Sequence, residues 1–196
     1  MADISSELID TEKVSAWIVE RADVEDPLTF ELIAGGRSNM TFTVYDGEIP
    51  KFVLRRPPTG PLLPSAHDMA REYRLMDALS NSHVPVPSMV GLCQDDAVNG
   101  RDFYVMQFVD GIVVRDIDIG SSFSETTRKT MSESLVATLI ALHEVDIDSV
   151  GLGDLAKRTG YIQRQVKRWT GQWQSSRTRD LPIVDAVAEK LMAQMP

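Results

Sequence analysis

An amphipathic helix precedes a series of short strands in the first part of the chain. Val14, Trp17 and Ile18 recur at helical spacing, and Asp10 before them is a suitable helix cap. The following residues form short runs rich in β-branched and aromatic side chains, separated by Gly-Gly and Asp-Gly turns. We therefore predict an antiparallel meander whose strands cover residues 29–34, 40–45 and 51–56.

One helix and two more strands are predicted next. Four prolines interrupt regular structure within residues 57–64, after which Ser65 and Asp68 form a capping-box pattern. The helix that follows carries its apolar residues on one face, namely Met69, Tyr73, Met76 and Leu79. Two apolar runs then flank a polar turn, and we predict strands over residues 89–93 and 103–109.

The pattern is helical from residue 111 onward. Ser124 can cap a long helix that reaches His143. We expect its apolar stripe to be buried, and the stripe consists of Met131, Leu135, Leu139 and Leu142. Two more helices are predicted over residues 161–174 and 182–195.

Composition and charge exclude several classes of protein. The chain has 43% hydrophobic and 25% charged residues, which is typical of a globular protein. Its net charge of −9 argues against general binding to nucleic acid or anionic membranes. The sequence has no apolar run long enough to span a bilayer, and its first ten residues are polar and acidic, so we expect a cytoplasmic location. Cys93 lies in an apolar stretch and is predicted to be a core thiol.

Two other groups of residues have structural interpretations. Trp169 and Trp173 lie one helical turn apart, which would suit a stacking platform for a base or sugar, but we expect core packing of an amphipathic helix. The histidines are too scattered along the chain to predict a metal site, and they are His67, His83 and His143.

The first candidate site is the loop between the first two predicted strands. It reads Gly35-Gly36-Arg37-Ser38-Asn39, and glycine backbone can close over phosphates and offer N–H donors to them. A glycine pair in a hairpin is also an ordinary turn. The loop alone therefore indicates a phosphate site only weakly.

A cation and a carboxylate at the next two junctions point to the same chemistry. Arg55 lies in the third predicted strand, where kinases place a cation that meets the phosphates, and Glu72 in the next helix is placed to pair with that cation. An exposed arginine and an exposed glutamate would give the same pattern. The third junction is the point where the last predicted strand runs into the turn at Gly111. There the backbone of Gln107 and Phe108 can pair with adenine, while Met106 closes the pocket behind it.

Taken together, these stretches resemble the aminoglycoside phosphotransferase and choline kinase-like family. More narrowly, they are similar to the branch of small-molecule phosphotransferases found beside, or fused to, acyl-CoA dehydrogenases. The similar stretches include GGRSNMTF, FVLRRPPTGPLLPSAHDMAREYRLMDAL, VPVP, FYVMQFVDG and LIALHEVD. The resemblance, with the order of elements, implies an α+β, protein-kinase-like fold. Its N-lobe is a five-stranded antiparallel sheet with one main helix, and the first helices of an incomplete helical C-lobe follow.

The resemblance also implies a division of the chain and a set of roles. Residues 1–28 would form an N-terminal helix and linker, residues 29–110 the nucleotide-binding N-lobe, and residues 111–196 the start of the C-lobe. The enzyme would transfer phosphate from ATP, with Mg²⁺, to the hydroxyl group of a small molecule. The implied nucleotide contacts are Gly36, Ser38 and Asn39 over the phosphates, Arg55 binding them, Glu72 orienting Arg55, and Met106, Gln107 and Phe108 holding adenine. Arg55 stands where most kinases have lysine, and the two side chains differ in geometry.

The sequence departs from the family pattern at the catalytic loop. That loop has the form His-Gly-Asp-x-x-x-x-Asn, in which Asp accepts the hydroxyl proton and Asn binds magnesium. His143 and Asp146 lie at a helix end, but Gly151 stands where the Asn would be and no Asn follows. Gly153-Asp154 has the same defect. We assign no catalytic or metal-binding residue, expect those residues beyond Pro196, and predict that this chain alone is inactive.

Other interpretations of the chain stay open. It could be a catalytically inactive, nucleotide-binding or interaction module, or a truncated product. The acceptor alcohol is also open, since both an aminoglycoside and a hydroxylated acyl compound agree with the resemblance. In the intact family fold two helices would pack on elements after residue 196, so we expect their apolar faces to be partly uncovered here and to favour self-association. These faces contain Leu135, Leu139 and Leu142, and Ile183, Val187 and Leu191.

Overall fold

A computed structural model describes residues 8–33, 39–60, 67–155 and 157–195 of the chain. By compactness the chain divides into two units, residues 1–152 and residues 153–196. The first unit contains a sheet and five helices among its described residues, and the second contains two helices.

The first unit is built on a five-stranded antiparallel sheet with strand order β1-β2-β3-β5-β4. All strands are short, and all except β4 are rich in β-branched or aromatic residues, which fit a pleated, half-buried surface. The strands are β1 Thr29–Leu32, β2 Met40–Asp46, β3 Ile49–Arg56, β4 Met89–Cys93 and β5 Phe103–Gln107. All five predicted strands are present, and β1 and β5 each end two residues earlier than predicted.

The β2–β3 turn depends on a glycine. Asp46 pairs with Ile49, so the turn contains only two residues, and Gly47 occupies its first position with φ of +60°. Residues with a side chain rarely adopt this backbone conformation, whereas glycine does so without steric cost. The Asp-Gly sequence thus determines where β3 begins, and with it the position of Arg55 on that strand.

Five helices accompany the sheet in the first unit. They are α1 Thr11–Val19, α2 Met69–Leu79, α3 Asp96–Asn99, α4 Ile117–Ser122 and α5 Glu125–His143. The side chain of Asp10 caps α1, as predicted, by accepting a hydrogen bond from the N–H of Lys13. Asp68 caps α2 by accepting a hydrogen bond from the N–H of Arg71, and Ser65, the other residue of the predicted capping box, lies outside the described residues. The short α3 occupies the segment predicted as a polar turn, and the side chain of Asp95 caps it by accepting a hydrogen bond from the N–H of Ala97.

The core of this unit lies between α1 and the sheet. Val14 and Ile18 of α1 are fully buried, as are Phe42 and Leu54 of the central strands. Each such side chain contributes roughly 1.5–3 kcal/mol of hydrophobic stabilisation. Cys93 is buried in the same cluster, as predicted for a core thiol, and burial raises the pKa of its thiol.

The long helix α5 departs from the prediction. It begins after the Ser124 cap and ends at His143 as expected, but its apolar stripe is exposed rather than buried. Leu135 is 71% exposed, and Met131, Leu139 and Leu142 are also exposed. Periodicity identifies the apolar face of a helix but not whether a neighbour covers it. The described part of the first unit leaves this face uncovered.

The second unit is a pair of packed helices, α6 Tyr161–Ser176 and α7 Pro182–Ala193. Pro182 is suited to the first turn of α7, where its missing N–H has no partner to lose. A cavity of about 330 Å³ lies between the helices, lined by apolar residues that include Val166 and Leu191. Core packing of Trp169 was wrongly predicted, because this side chain is 59% exposed, whereas Trp173 is partly buried.

None of the helices in the described ranges is long and apolar enough to cross a membrane.

Candidate functional site

Two adjacent arginines at the end of β3 point to opposite faces of the sheet. The burial pattern of β3 alternates, so that Leu54 and Arg56 are buried on the side of the core, while Arg55 belongs to the other face. Arg56 donates hydrogen bonds to the carbonyl groups of Leu8 and Pro57, and burial lowers its pKa. Of these two arginines, Arg55 is therefore the one available to the face on which α2 lies.

Arg55 forms an ion pair with Glu72 in the first turn of α2. The guanidinium Nη2 atom lies 3.3 Å from Oε2 of Glu72, and each side chain is about one-third exposed (33% and 34%). This ion pair was predicted from the positions of the two residues in the kinase-like order of elements. The pair joins β3 to α2 and holds the guanidinium at one place on the sheet.

Tyr104 completes the contacts of Oε2 of Glu72. Its position follows from the sheet register, because Tyr104 of β5 lies directly opposite Arg55 of β3. The phenol hydroxyl donates a hydrogen bond of 3.1 Å to Oε2. Burial raises the pKa of Tyr104 to about 12, opposed by the charge of Arg55 and reinforced by that of Glu72. The hydroxyl therefore keeps its proton, and remains a donor, at neutral pH.

Asn39 binds the other oxygen of Glu72. Its Nδ2 atom donates a hydrogen bond of 2.8 Å to Oε1, and its side chain is nearly buried, with 8% exposed. On its other side, Oδ1 of Asn39 lies 2.6 Å from Nδ1 of His67. Glu72 is thus held by Arg55, Tyr104 and Asn39 together, and the Asn39 amide is engaged at both ends.

One donor of the site has no acceptor. Within the part of the chain that the structure describes, Nε of Arg55 is buried and reaches no hydrogen-bond partner. Leaving such a donor unpaired costs about 1–3 kcal/mol. Guanidinium donors of this kind commonly bind the oxygen atoms of carboxylate and phosphate groups.

The predicted adenine-binding backbone at the end of β5 is partly engaged already. The N–H of Gln107 donates to the carbonyl of Ser88 (2.8 Å), and the N–H of Phe108 donates to the carbonyl of Lys51 (2.9 Å). Met106 precedes them on β5, opposite Val53, and is partly buried. Both N–H groups therefore serve the sheet.

The structure brings together three of the residues selected from the sequence, Asn39, Arg55 and Glu72. Gly36 and Ser38 lie outside the described residues. Sequence reasoning missed Tyr104 and His67 as members of the site. Antiparallel pairing of β3 with β5 would have placed Tyr104 opposite Arg55, but nothing in the sequence indicated the contact of His67 with Asn39.

A metal site is not assigned. In the described ranges, with their gaps at 34–38 and 61–66, no three His, Cys, Asp or Glu side chains gather as ligands.

Comparisons with known proteins show the family of the chain. The phosphotransferase enzyme family (APH) matches residues 29–196 of the chain. Acyl-CoA dehydrogenase family member 11 of Homo sapiens is 37% identical over 175 residues, which are 89% of this chain and 22% of that protein. Acyl-CoA dehydrogenase family member 10 of Mus musculus is 34% identical over 161 residues, or 82% of this chain and 15% of that protein. The chain therefore spans less than a quarter of the length of these curated relatives.

A solved structure is also similar. A protein of Ralstonia eutropha jmp134 named as an aminoglycoside phosphotransferase matches with a TM-score of 0.72 and 35% identity, over 96% of this chain and 54% of the other. This match confirms the kinase-like α+β fold with its five-stranded antiparallel sheet. The sequence matches confirm the predicted family and its acyl-CoA dehydrogenase-associated branch. The chain belongs to the phosphotransferase enzyme family.

Proposed function

We propose that this chain is the nucleotide-binding portion of an ATP-dependent kinase that acts on the hydroxyl group of a small molecule. The observation that carries the proposal is the Arg55–Glu72 ion pair together with the unpaired Nε of Arg55. A guanidinium held by a carboxylate on a neighbouring helix is a preorganised receptor for phosphate oxygens. In this proposal residues 29–110 form the nucleotide-binding lobe, and residues 111–196 form the start of the helical lobe. We also propose that the protein is located in the cytoplasm.

The three partners of Glu72 explain how Arg55 would be kept in place. Both oxygens of the carboxylate accept hydrogen bonds from side chains with little freedom, the nearly buried Asn39 and Tyr104. Since Glu72 cannot swing away without breaking these contacts, Arg55 keeps its orientation before ligand arrives. Preorganisation of this kind lowers the entropy lost on binding.

Adenine would bind beyond β5. The carbonyl groups of Gln107 and Phe108 could accept hydrogen bonds there, and Val109 offers the next backbone N–H group after the two that serve the sheet. Met106 would close the apolar side of the base. Gly36, Ser38 and the backbone of Asn39 would lie over the phosphates.

Mg²⁺, when bound, neutralises charge on the phosphates during transfer. We assign it no ligand among the described residues, and the sequence contains no His-Gly-Asp-x-x-x-x-Asn loop. In this proposal the chain's own residues bind and orient nucleotide, and we give none of the described residues the role of taking the hydroxyl proton.

The acceptor would be a small-molecule alcohol. Two relatives are acyl-CoA dehydrogenase family members, which favours a hydroxylated acyl compound over an aminoglycoside, the substrate in the name of the structural relative.

Calorimetric titration of ATP, ADP and adenosine into the purified chain tests the nucleotide site. We expect ATP and ADP to bind at least tenfold more tightly than adenosine, since each phosphate contact to a charged donor contributes about 1.5 kcal/mol or more. Equal affinities for ATP and adenosine, or no binding of ATP at millimolar concentration, would overturn the proposal.

A further inference from the structure

We propose that His67 is a positioning residue of the nucleotide site, which acts through Asn39 on Glu72 and Arg55. The inference rests on the proposed function for its effect on ligand, whereas the hydrogen bonds themselves exist without ligand. Nδ1 of His67 lies 2.6 Å from Oδ1 of Asn39, and Asn39 in turn donates to Glu72.

The direction of these hydrogen bonds follows from the chemistry of the groups. A carboxylate only accepts, so the Asn39 atom that faces Glu72 must be the amide nitrogen, and the oxygen must face His67. An amide oxygen also only accepts. Nδ1 of His67 must therefore carry a proton, which assigns one tautomer to a neutral imidazole.

The backbone at His67 is unusual in a way that fits a positioning role. Its φ is +60°, a left-handed conformation that few residues other than glycine adopt, although Asn, Asp and His do so more readily than most. Such conformations persist where surrounding contacts fix them, and they are frequent at ligand sites. His67 immediately precedes the Asp68 cap of α2, so its imidazole links the start of that helix to Asn39 at the start of β2.

Loss of the imidazole would affect the site in steps. The nearly buried Oδ1 of Asn39 would lose its donor, and the amide would be free to rotate away from Glu72. Glu72 would then hold Arg55 less firmly. Phosphate affinity should fall, while contacts to adenine at the far end of β5 should not change.

Two substitutions separate the hydrogen bond from the backbone conformation. His67→Gly keeps the positive φ without strain but removes the donor. His67→Asn also tolerates positive φ, and its amide nitrogen can replace Nδ1 as donor to Asn39. Equal melting temperatures of the two variants would show that both remain folded.

Titrations with ATP, ADP and adenosine give the functional result. We expect His67→Gly to bind ATP and ADP about fivefold more weakly than wild type, the loss that corresponds to one net hydrogen bond, with adenosine unchanged. His67→Asn should bind all three ligands within about twofold of wild type. Wild-type affinity of the Gly variant, or an Asn variant as weak as Gly, would overturn the proposal.

Nitrogen-15 NMR of the histidine side chains tests the hydrogen bonds without ligand. In mildly alkaline buffer, in which a free imidazole is neutral, we expect Nδ1 of His67 to be protonated. An unprotonated Nδ1 would refute the inference whether or not nucleotide binds. A different result would separate the two proposals. If ATP does not bind wild type, the proposed function fails. The positioning of Asn39 still stands if Nδ1 of His67 is protonated and if the Asn39 side-chain amide signal is preserved in His67→Asn but not in His67→Gly.

Discussion

Arg55 on β3 and Glu72 on α2 are joined by an ion pair in which Nη2 and Oε2 lie 3.3 Å apart, at a place where both side chains are about one-third exposed. Ion pairs with this much solvent contact contribute little to the free energy of unfolding, typically about 0–1 kcal/mol. The surrounding Asn39 and Tyr104 are nearly buried and restrict Glu72. The arrangement is thus better suited to orienting Arg55 than to stabilising the fold.

The first prediction follows from that distinction. Arg55→Ala should weaken ATP binding by roughly 1.5–3 kcal/mol, or about tenfold to a hundredfold, because a charge-assisted contact to phosphate is lost. Glu72→Ala should weaken it less, since Glu72 acts only through Arg55. Calorimetric titration of ATP and adenosine into wild type and both variants measures the effect.

Adenosine is the matched control ligand, and neither substitution should change its affinity. The neighbouring Arg56 is on the other face of the sheet and is no control, because its burial makes it part of the fold. If ATP binds wild type and Arg55→Ala binds it equally well, the assignment of β3 as the phosphate-binding strand is wrong.

A second prediction concerns Tyr104 and alkaline pH. Its pKa is about 12 in the folded chain, mainly because of burial, against 10.0 for the unperturbed side chain. The unfolded state therefore loses the proton first as pH rises. The stability linked to this group is fully present below about pH 10 and is lost progressively between about pH 10 and 12.

Urea unfolding of wild type and Tyr104→Phe across this pH range measures the effect. Tyr104→Phe should lower the free energy of unfolding by about 1 kcal/mol at neutral pH, since one hydrogen bond to Glu72 is lost. The free energy of unfolding of wild type should then fall more steeply than that of the variant, by a total of the order of 2–3 kcal/mol. The contributions of the other tyrosines to the pH dependence are the same in both proteins and cancel in the difference. Parallel pH profiles of the free energy of unfolding would contradict the prediction.

The third prediction tests the packing of α1 on the sheet. A Cβ atom added at Gly91 of β4 would lie 2.9 Å from Cη2 of Trp17, whose ring is also packed edge-to-face against Phe103 at 5.1 Å. Gly91→Ala should therefore displace Trp17 and destabilise the fold by about 1–3 kcal/mol. Gly111→Ala is the control, because no atom lies within 4 Å of its added Cβ. Equal urea midpoints for the two variants would refute the predicted overlap.

Local patterns explain which parts of this structure could be predicted. Asp10 and Ser124 cap helices through N–H groups three residues further along the chain, and Gly47 forms a turn between adjacent strands. The starts of these helices and the β2–β3 turn can therefore be predicted from short stretches of sequence. The Arg55–Glu72 contact spans different elements, but the order of strands and helix limits where the two can meet. The contact of His67 with Asn39 depends on side-chain directions 28 residues apart, which no periodicity encodes.

The exposed face of α5 leads to a prediction about association. Met131, Leu135, Leu139 and Leu142 are all at least 40% exposed, a larger contiguous apolar stripe than scattered surface residues give. We expect the purified chain to bind a hydrophobic dye and to self-associate in light scattering. Leu135→Glu should reduce both signals, whereas Thr130→Glu, on the opposite face of α5, should not. A monodisperse wild-type monomer without dye binding would contradict the prediction.

The last prediction concerns catalysis. Phosphoryl transfer depends on positioning and charge stabilisation, to which a proton-accepting Asp and the magnesium ligands contribute most. This sequence has Gly151 where the family loop would place Asn after Asp146, and no later Asn. We therefore expect no transfer of phosphate to aminoglycosides, choline or hydroxyacyl thioesters in a coupled ADP-release assay, even at nucleotide concentrations that saturate the site. A phosphotransferase with the complete loop, assayed alongside, verifies the coupling system. Turnover that copurifies with the chain and disappears in Arg55→Ala would show that a catalytic group exists among residues we have given no such role.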